Sequence, residues 1–304
     1  MRKTVLIIGA SSFVGSNLLE SLKDDYRVLG TYFKTPVEIP GILTFPCDVL
    51  RKEAVQNLMS VLRPDVVIYA AGLSSLADCQ NNTKRADAIN TSGVINCALS
   101  SDRFGAKFVL ISTAYVMSGE DVIFKESDSP FPNTAYGNSF SAAEFYVQKS
   151  CMNYFILRCS LLYGRSFNPF ELNWFELIER HLFQGKPLYT DDSVETGFLD
   201  VKILANFIKA GIDTNLTNRL IQVSSSDYMT RYEFARLYTQ VFHKDSELIV
   251  KSNWDFPLNE NQARMNMAQD RYYYKMNVKN AEELSGHRLP TIEESLQFTK
   301  VRLS

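Results

Sequence analysis

Through the first half of the chain, short runs of Val, Ile and Leu alternate with stretches whose apolar residues recur at helical spacing. "TVLIIGA" reads as a strand and "SNLLESLKD" as the helix that follows it. "YRVLGTYF", "DVVIYAAG", "KFVLISTAYV" and "YFILRCSLLYG" repeat the strand pattern, and a short third strand precedes "CDVL". "RKEAVQNLMSVLR", "RADAINTSGVINCALSSDR" and "NSFSAAEFYVQKS" repeat the helical one. The strands are near-continuous in apolar residues instead of alternating with polar ones. Such strands are buried on both faces, which predicts a parallel sheet covered by helices. Repeated β-α units of this kind give a doubly wound α/β fold.

After Gly164 the rhythm loosens. "FELNWFELIERHLFQG" and "DVKILANFIKAGI" have helical spacing, "RLIQVSS" is a strand, and "TRYEFARLYTQVF" is an amphipathic helix with Thr230 as its N-cap. "AEELSGHRLPTIEESLQF" reads as helix, turn, helix. No repeat or Pro/Gly linker separates the halves. The expected organisation is a dinucleotide-binding domain over 1–165, with 196–223 contributing to it, and a smaller α/β substrate lobe over 166–304. The cleft between them is the expected ligand site.

The composition is that of an ordinary globular protein, with 45% apolar and 22% charged residues among 304. A net charge of −2 gives no general reason to expect nucleic acid or an anionic membrane as partner. The apolar run at the N-terminus is too short for a membrane span and breaks into Gly-Ala-Ser-Ser, so it reads as a buried first strand in a cytoplasmic protein. Cys47, Cys79, Cys97, Cys151 and Cys159 are scattered and mostly within apolar runs, which suits reduced core residues. His181, His243 and His287 lie far apart with no ligand spacing, so no metal site is expected.

"IIGASSFVGSNLLESL" joins the first strand to the first helix. Gly9 and Gly15 have the spacing of the outer glycines of a dinucleotide turn. Gly9 permits the tight turn, Gly15 lets helix and strand approach, and the helix N-terminus faces the pyrophosphate. Ser12 stands at the middle glycine position, where its hydroxyl is a donor candidate, and Ser11, Phe13 and Val14 complete the turn. At the end of the second strand, "GTYFKT" offers no acid for a ribose 2′-hydroxyl, and Lys34 suits a 2′-phosphate. That favours NADP over NAD. Asp48, with Val49, follows the third strand, where its carboxylate accepts from an adenine amino group or caps the next helix.

These motifs, with "RPDVVIYAAG", "ISTAYVMSG", "AYGNSFSAAE", "LRCSLLYG", "MTRYEFAR" and "GHRLPTIEESL", give the whole chain a resemblance to the extended short-chain dehydrogenase/reductases of the Rossmann fold. Within that group it is most similar to the dTDP-4-dehydrorhamnose reductase family of sugar-nucleotide reductases. The resemblance implies that Gly9, Ser12 and Gly15 meet the pyrophosphate, and Asp48 and Val49 the adenine. It places Ala70, Ala71 and Gly72 beside the nicotinamide ribose and Asn90 on the asparagine of the fourth helix. Thr113 falls on the hydroxyl residue that binds the reacting carbonyl, and Tyr136 on the tyrosine that gives it a proton. The sugar nucleotide is expected near Trp174 and Asp191 to Asp200. A homodimer is compatible with the fold.

Two positions depart from the pattern. Phe140 stands where the lysine four residues after the tyrosine belongs, and Ala114 stands where an aspartate does. A lysine there lowers the tyrosine pKa from its ordinary value near 10 and orients the cofactor ribose. Phe140 does neither, and Lys84, Arg85 and Arg165 are the candidate substitute cations. The leading expectation is reduction of a 4-keto sugar nucleotide with Tyr136 as acid. The alternatives are a catalytically weakened regulatory or scaffold subunit that binds dinucleotide or sugar nucleotide, and a sugar-nucleotide epimerase or dehydratase.

Overall fold

Thr4–Ile8 (β1), Arg27–Tyr32 (β2), Leu43–Pro46 (β3), Val66–Tyr69 (β4), Lys107–Thr113 (β5), Tyr154–Cys159 (β6) and Arg219–Val223 (β7) form one sheet. Its order is β7-β6-β5-β4-β1-β2-β3, and every pairing is parallel. The computed structural model describes residues 2–167, 172–252, 256–258 and 269–303. The strand order reverses between β1 and β4, and in doubly wound sheets ligands bind at the carboxyl ends of the strands at that point.

Because side chains alternate along a strand, β1 feeds two cores. Leu6 and Ile8 join Lys52–Leu62 (α2), Val94–Arg103 (α3) and Ala135–Ser150 (α4) on one face. Val5 and Ile7 join Phe13–Leu22 (α1), Val201–Asp213 (α6) and Lys279–Ser285 (α8) on the other. A third core belongs to the remaining lobe, where Trp174–Phe183 (α5), Arg231–Val241 (α7) and Ile292–Leu303 (α9) meet around aromatic side chains. Phe198 stacks on Phe234 at 4.2 Å, and Tyr163 stacks on Phe175 at 5.7 Å. The aromatic content of the second half of the sequence is used here.

Thr230 caps α7 in a reciprocal capping box with Glu233, as its sequence predicts. The helix expected over "FELNWFELIERHLFQG" begins at Trp174 with Asn173 as its N-cap, and 168–171 lie outside the described residues. The helix expected over "RADAINTSGVINCALSSDR" is not uniform: Asp87–Gly93 is a π-helical segment that leads into α3. A strand the sequence did not announce, Tyr272–Met276, lies between Val194–Thr196 and Ile123–Phe124 in a small parallel sheet. All five cysteines are buried free thiols. Among the described residues no helix is long and apolar enough to cross a membrane, and no cluster suits a metal ion.

Candidate active site

The turn after β1 is built as its glycines require. Gly9 has φ +81°, and a Cβ there would lie 2.5 Å from the Ala71 backbone. A Cβ on Gly15 would lie 2.2 Å from the Gly9 carbonyl oxygen. Only glycine lets α1 come this close to the strand end. Ser12 caps α1 by accepting from the Gly15 amide at 3.0 Å, and its own hydroxyl donates to the Ala70 carbonyl at 2.9 Å. Its proton is therefore engaged within the fold instead of being offered to a phosphate. Ser12 ties the glycine turn to the end of β4, where Ala70, Ala71 and Gly72 run. Ser11, Phe13 and Val14 fill the rest of the turn and the first positions of α1.

Asp48 does not cap α2. The residue at that cap is Arg51, with no side-chain bond, because the helix starts later than the carboxylate can reach. Asp48 instead accepts from the Leu50 amide at 3.0 Å, an Asx turn. Val49 packs against Gly93, and its carbonyl accepts from Asn96 at 2.9 Å. Lys34 lies on the loop after β2 with its ammonium 5.5 Å from the Phe33 ring centroid.

Asn90 is fully buried in the π-helical segment. Its side-chain oxygen accepts from the Leu73 amide at 2.8 Å, and its side-chain nitrogen donates to the Leu73 carbonyl at 3.0 Å and to Ser139 Oγ at 3.1 Å. One amide thus fastens the chain beyond β4 to α4. The widened helix turn has a local partner: Tyr69 Oη donates to the Ile89 carbonyl at 2.7 Å. π-Turns recur at functional sites. Nothing in the spacing of "RADAINTSGV" signals this one, and its phenol partner comes from β4, outside that stretch.

Tyr136 is the second residue of α4, behind the N-cap Thr134. The next residue explains how that helix end reaches β5. A Cβ on Gly137 would lie 1.9 Å from the Tyr115 carbonyl oxygen. Tyr136 lies near Thr113, which terminates β5 and caps the short 3-10 turn Ala114–Val116 by accepting from the Tyr115 amide. Burial pushes the Tyr136 phenol well above its ordinary value near 10, and the nearby Thr113 hydroxyl opposes the rise. It is a neutral hydrogen-bond donor across the physiological range.

Phe140 is one turn further along α4. Its ring meets Tyr136 edge-on, with centroids 5.2 Å apart. Its far end lies 3.7 Å from where a Gly72 Cβ would be. The apolar ring therefore lies against the strand end that the resemblance assigns to the nicotinamide ribose. The largest influences on Tyr136 include no cation. Arg165 pairs with Glu179 on α5, and Lys84 and Arg85 sit on an exposed short helix, Thr83–Ala86.

Beneath the site, Glu144 of α4 and Arg158 of β6 form a buried ion pair at 2.7 Å, and Ser112 donates to the same carboxylate at 2.6 Å. Toward the smaller lobe, Tyr115 meets Tyr136 edge-on at 5.9 Å and Tyr274 at 4.3 Å. Trp174 carries the guanidinium of Arg231 over its ring at 5.4 Å. Asp191 and Asp200, expected near a substrate, have structural roles. Asp191 accepts from the Ser193 and Val194 amides, and Asp200 caps α6 and binds Thr299.

The profile of the RmlD substrate binding domain family matches residues 2–301. A probable low-salt glycan biosynthesis reductase of Haloferax volcanii is 27% identical over 314 residues, covering 98% of this chain and 97% of that one. The beta subunit of methionine adenosyltransferase 2 of Bos taurus is 22% identical over 249 residues, covering 80% and 73%. The crystal structure of a dTDP-4-dehydrorhamnose reductase of Bacillus anthracis in complex with NADP superposes with a TM-score of 0.82 at 24% identity, covering 99% of each chain. That structural likeness establishes the fold.

Proposed function

Since the chain belongs to the RmlD substrate binding domain family, we propose that it is an NADP-dependent reductase of a 4-keto sugar nucleotide. The observation that carries this reading is Tyr136 at the N-terminus of α4, near Thr113 at the end of β5, with the adjoining Phe140 ring against Gly72 at the end of β4. The close approach at Gly9 and Gly15, the α1 N-terminus and the Asn90 staple fit a dinucleotide lying across the carboxyl ends of the strands. Lys34 is the cation available to a 2′-phosphate. Bound there, the nicotinamide supplies hydride.

The chain's own residues supply the rest. Thr113 positions the Tyr136 hydroxyl and the substrate carbonyl together. Tyr136, kept protonated by its surroundings, donates to the carbonyl oxygen as that oxygen gains charge. Gly137 and the Asn90–Ser139 bond hold the helix end in place, so the phenol does not drift. Phe140 excludes water from the base of the site and provides no ammonium for the ribose or for returning the proton. The reading therefore predicts slow turnover.

The same ring supports a second reading, a weakened member that binds dinucleotide or sugar nucleotide and regulates or scaffolds another protein. The two separate in one experiment. NADPH carrying deuterium at its transferable position is incubated with the protein and a dTDP-4-keto-6-deoxyhexose. The reductase reading expects deuterium at C4 of the product by mass spectrometry. NADPH binding without any label transfer, with transfer gained by Phe140→Lys, supports the second reading. Absence of binding of both NADPH and NADH overturns the cofactor assignment and the reductase reading.

A further inference from the structure

The first turn of α4 is held by residues from the far end of the chain. Tyr274, on the strand Tyr272–Met276, is fully buried, and its hydroxyl donates to Asn133 Oδ1 at 2.5 Å. Asn133 is buried too, and its side-chain nitrogen donates to the Ser118 carbonyl at 2.7 Å. The next residue, Thr134, is the N-cap of α4. Its hydroxyl accepts from the Gly137 amide at 3.0 Å, and its carbonyl accepts from the Asn138 amide at 2.9 Å. Tyr136 lies inside that turn. The Thr134 backbone also bridges Leu258.

The same strand fixes the chain that leads from β5 to α4. The Tyr273 amide donates to the Gly119 carbonyl at 2.8 Å, and the Asn277 amide to the Phe124 carbonyl at 2.7 Å. The Tyr274 ring lies 4.3 Å from the ring of Tyr115, which meets Tyr136 edge-on. Tyr274 therefore reaches Tyr136 by two routes, its hydroxyl through the helix cap and its ring through Tyr115. With no exposed surface of its own, Tyr274 acts only through these residues. Loss of the hydroxyl leaves the buried Asn133 oxygen unpaired, which favours a shift of the cap.

We propose that Tyr274 is a positioning residue for the proton transfer: its hydroxyl, through Asn133 and the Thr134 cap, sets where the Tyr136 phenol stands. This rests on the reductase reading above. A reacting group misplaced by about 1 Å loses about 10²-fold in rate, so a bond this far from the carbonyl governs the chemical step.

The test compares wild type with Tyr274→Phe, which keeps the ring and removes the hydroxyl. Tyr272→Phe is the control, on the same strand with its hydroxyl against the Gln269 amide at 3.1 Å. Amide hydrogen exchange is read first. Tyr274→Phe is expected to speed exchange at Gly137 and Asn138 and to leave Val147, further along α4, unchanged. Tyr272→Phe is expected to change neither. The second readout is the rate of deuterium transfer from labelled NADPH to the 4-keto sugar nucleotide. Tyr274→Phe is expected to lower kcat by about 10- to 100-fold while KM for both reactants stays within about twofold. In an Asn133→Ala background the same substitution is expected to cause no further fall, because the bond is already absent. Unchanged exchange at Gly137 and Asn138 overturns the proposal, as does faster exchange along the whole of α4, which marks a role in overall stability alone. A local change in exchange with an unchanged kcat also overturns it. If wild type transfers no deuterium, the reductase reading falls, and the exchange result alone decides whether Tyr274 holds the Tyr136 turn.

Discussion

The phenyl ring of Phe140 stands edge-on to the phenol of Tyr136, one helical turn away, with 5.2 Å between ring centroids. Its tip is directed at Gly72 on the end of β4. In the pattern that the sequence otherwise follows, an ammonium occupies that span. Here the tyrosine is retained, the nearby hydroxyl of Thr113 is retained, and an apolar ring stands where that ammonium would be.

Restoring the cation is the first prediction. Phe140→Lys puts an ammonium beside Tyr136, which favours the phenolate and lowers the tyrosine pKa. Turnover with a 4-keto sugar nucleotide is expected to rise by roughly 10- to 100-fold, within the range of placed acid–base groups. The pH profile is expected to change as well. Wild-type Tyr136, raised by burial, stays protonated, so reduction shows no alkaline limb from this group up to about pH 9. The variant acquires one as its lowered pKa is crossed. Steady-state rates from pH 6 to 9.5 check both effects.

Cofactor choice is the second. Lys34, beside Phe33 after β2, is the expected reader of a 2′-phosphate. Lys34→Ala is expected to weaken NADPH by about 10-fold and leave NADH nearly unchanged, because only NADPH carries the group it binds. Fluorescence titration of the two cofactors measures the ratio.

The buried pair beneath the site gives the third. Glu144 and Arg158 are 1% and 2% exposed, and removing one partner leaves an uncompensated charge in the core. Glu144→Ala is expected to cost about 3–5 kcal/mol in urea denaturation. Glu144→Leu with Arg158→Met, which removes both charges, is expected to cost much less. A similar loss in the two variants would show that packing, and not the charge, is what matters.

Lys107 gives a prediction in pH. It is 4% exposed at the start of β5, donates to the Gly211 carbonyl at 3.1 Å, and is pulled down to about 8 by burial and by nearby Lys3. In the unfolded chain its value is about 10.4. Between the two, the unfolded chain binds more protons, so this group's contribution to stability rises with pH from about 8 to 10. The stability difference between wild type and Lys107→Met is expected to increase over that window. A flat difference contradicts it.

The sequence disclosed the sheet because strands buried on both faces write unbroken apolar runs, and it disclosed the turn because Gly9 and Gly15 are forced by backbone contact. Tyr136 was singled out by the resemblance of "AYGNSFSAAE" to the family's tyrosine helix, and it stands at the second position of α4. What lay hidden depends on partners distant in the chain. Ser12 looks like a phosphate donor until the Ala70 carbonyl takes its proton. The π-turn around Asn90 has its phenol partner, Tyr69, on β4, and Met229, just before α7, bridges Thr196. Of the two roles the sequence leaves open for Asp48, adenine contact or helix cap, the cap is removed because sequence spacing does not fix where α2 begins.

The most direct test of the account is the single-turnover rate of NADPH oxidation with saturating 4-keto sugar nucleotide, wild type against Tyr136→Phe. The account predicts a slow but measurable wild-type rate that falls by about 10²–10⁴-fold when the phenol hydroxyl is removed. Equal rates in the two proteins would contradict the assignment of Tyr136 as the proton donor.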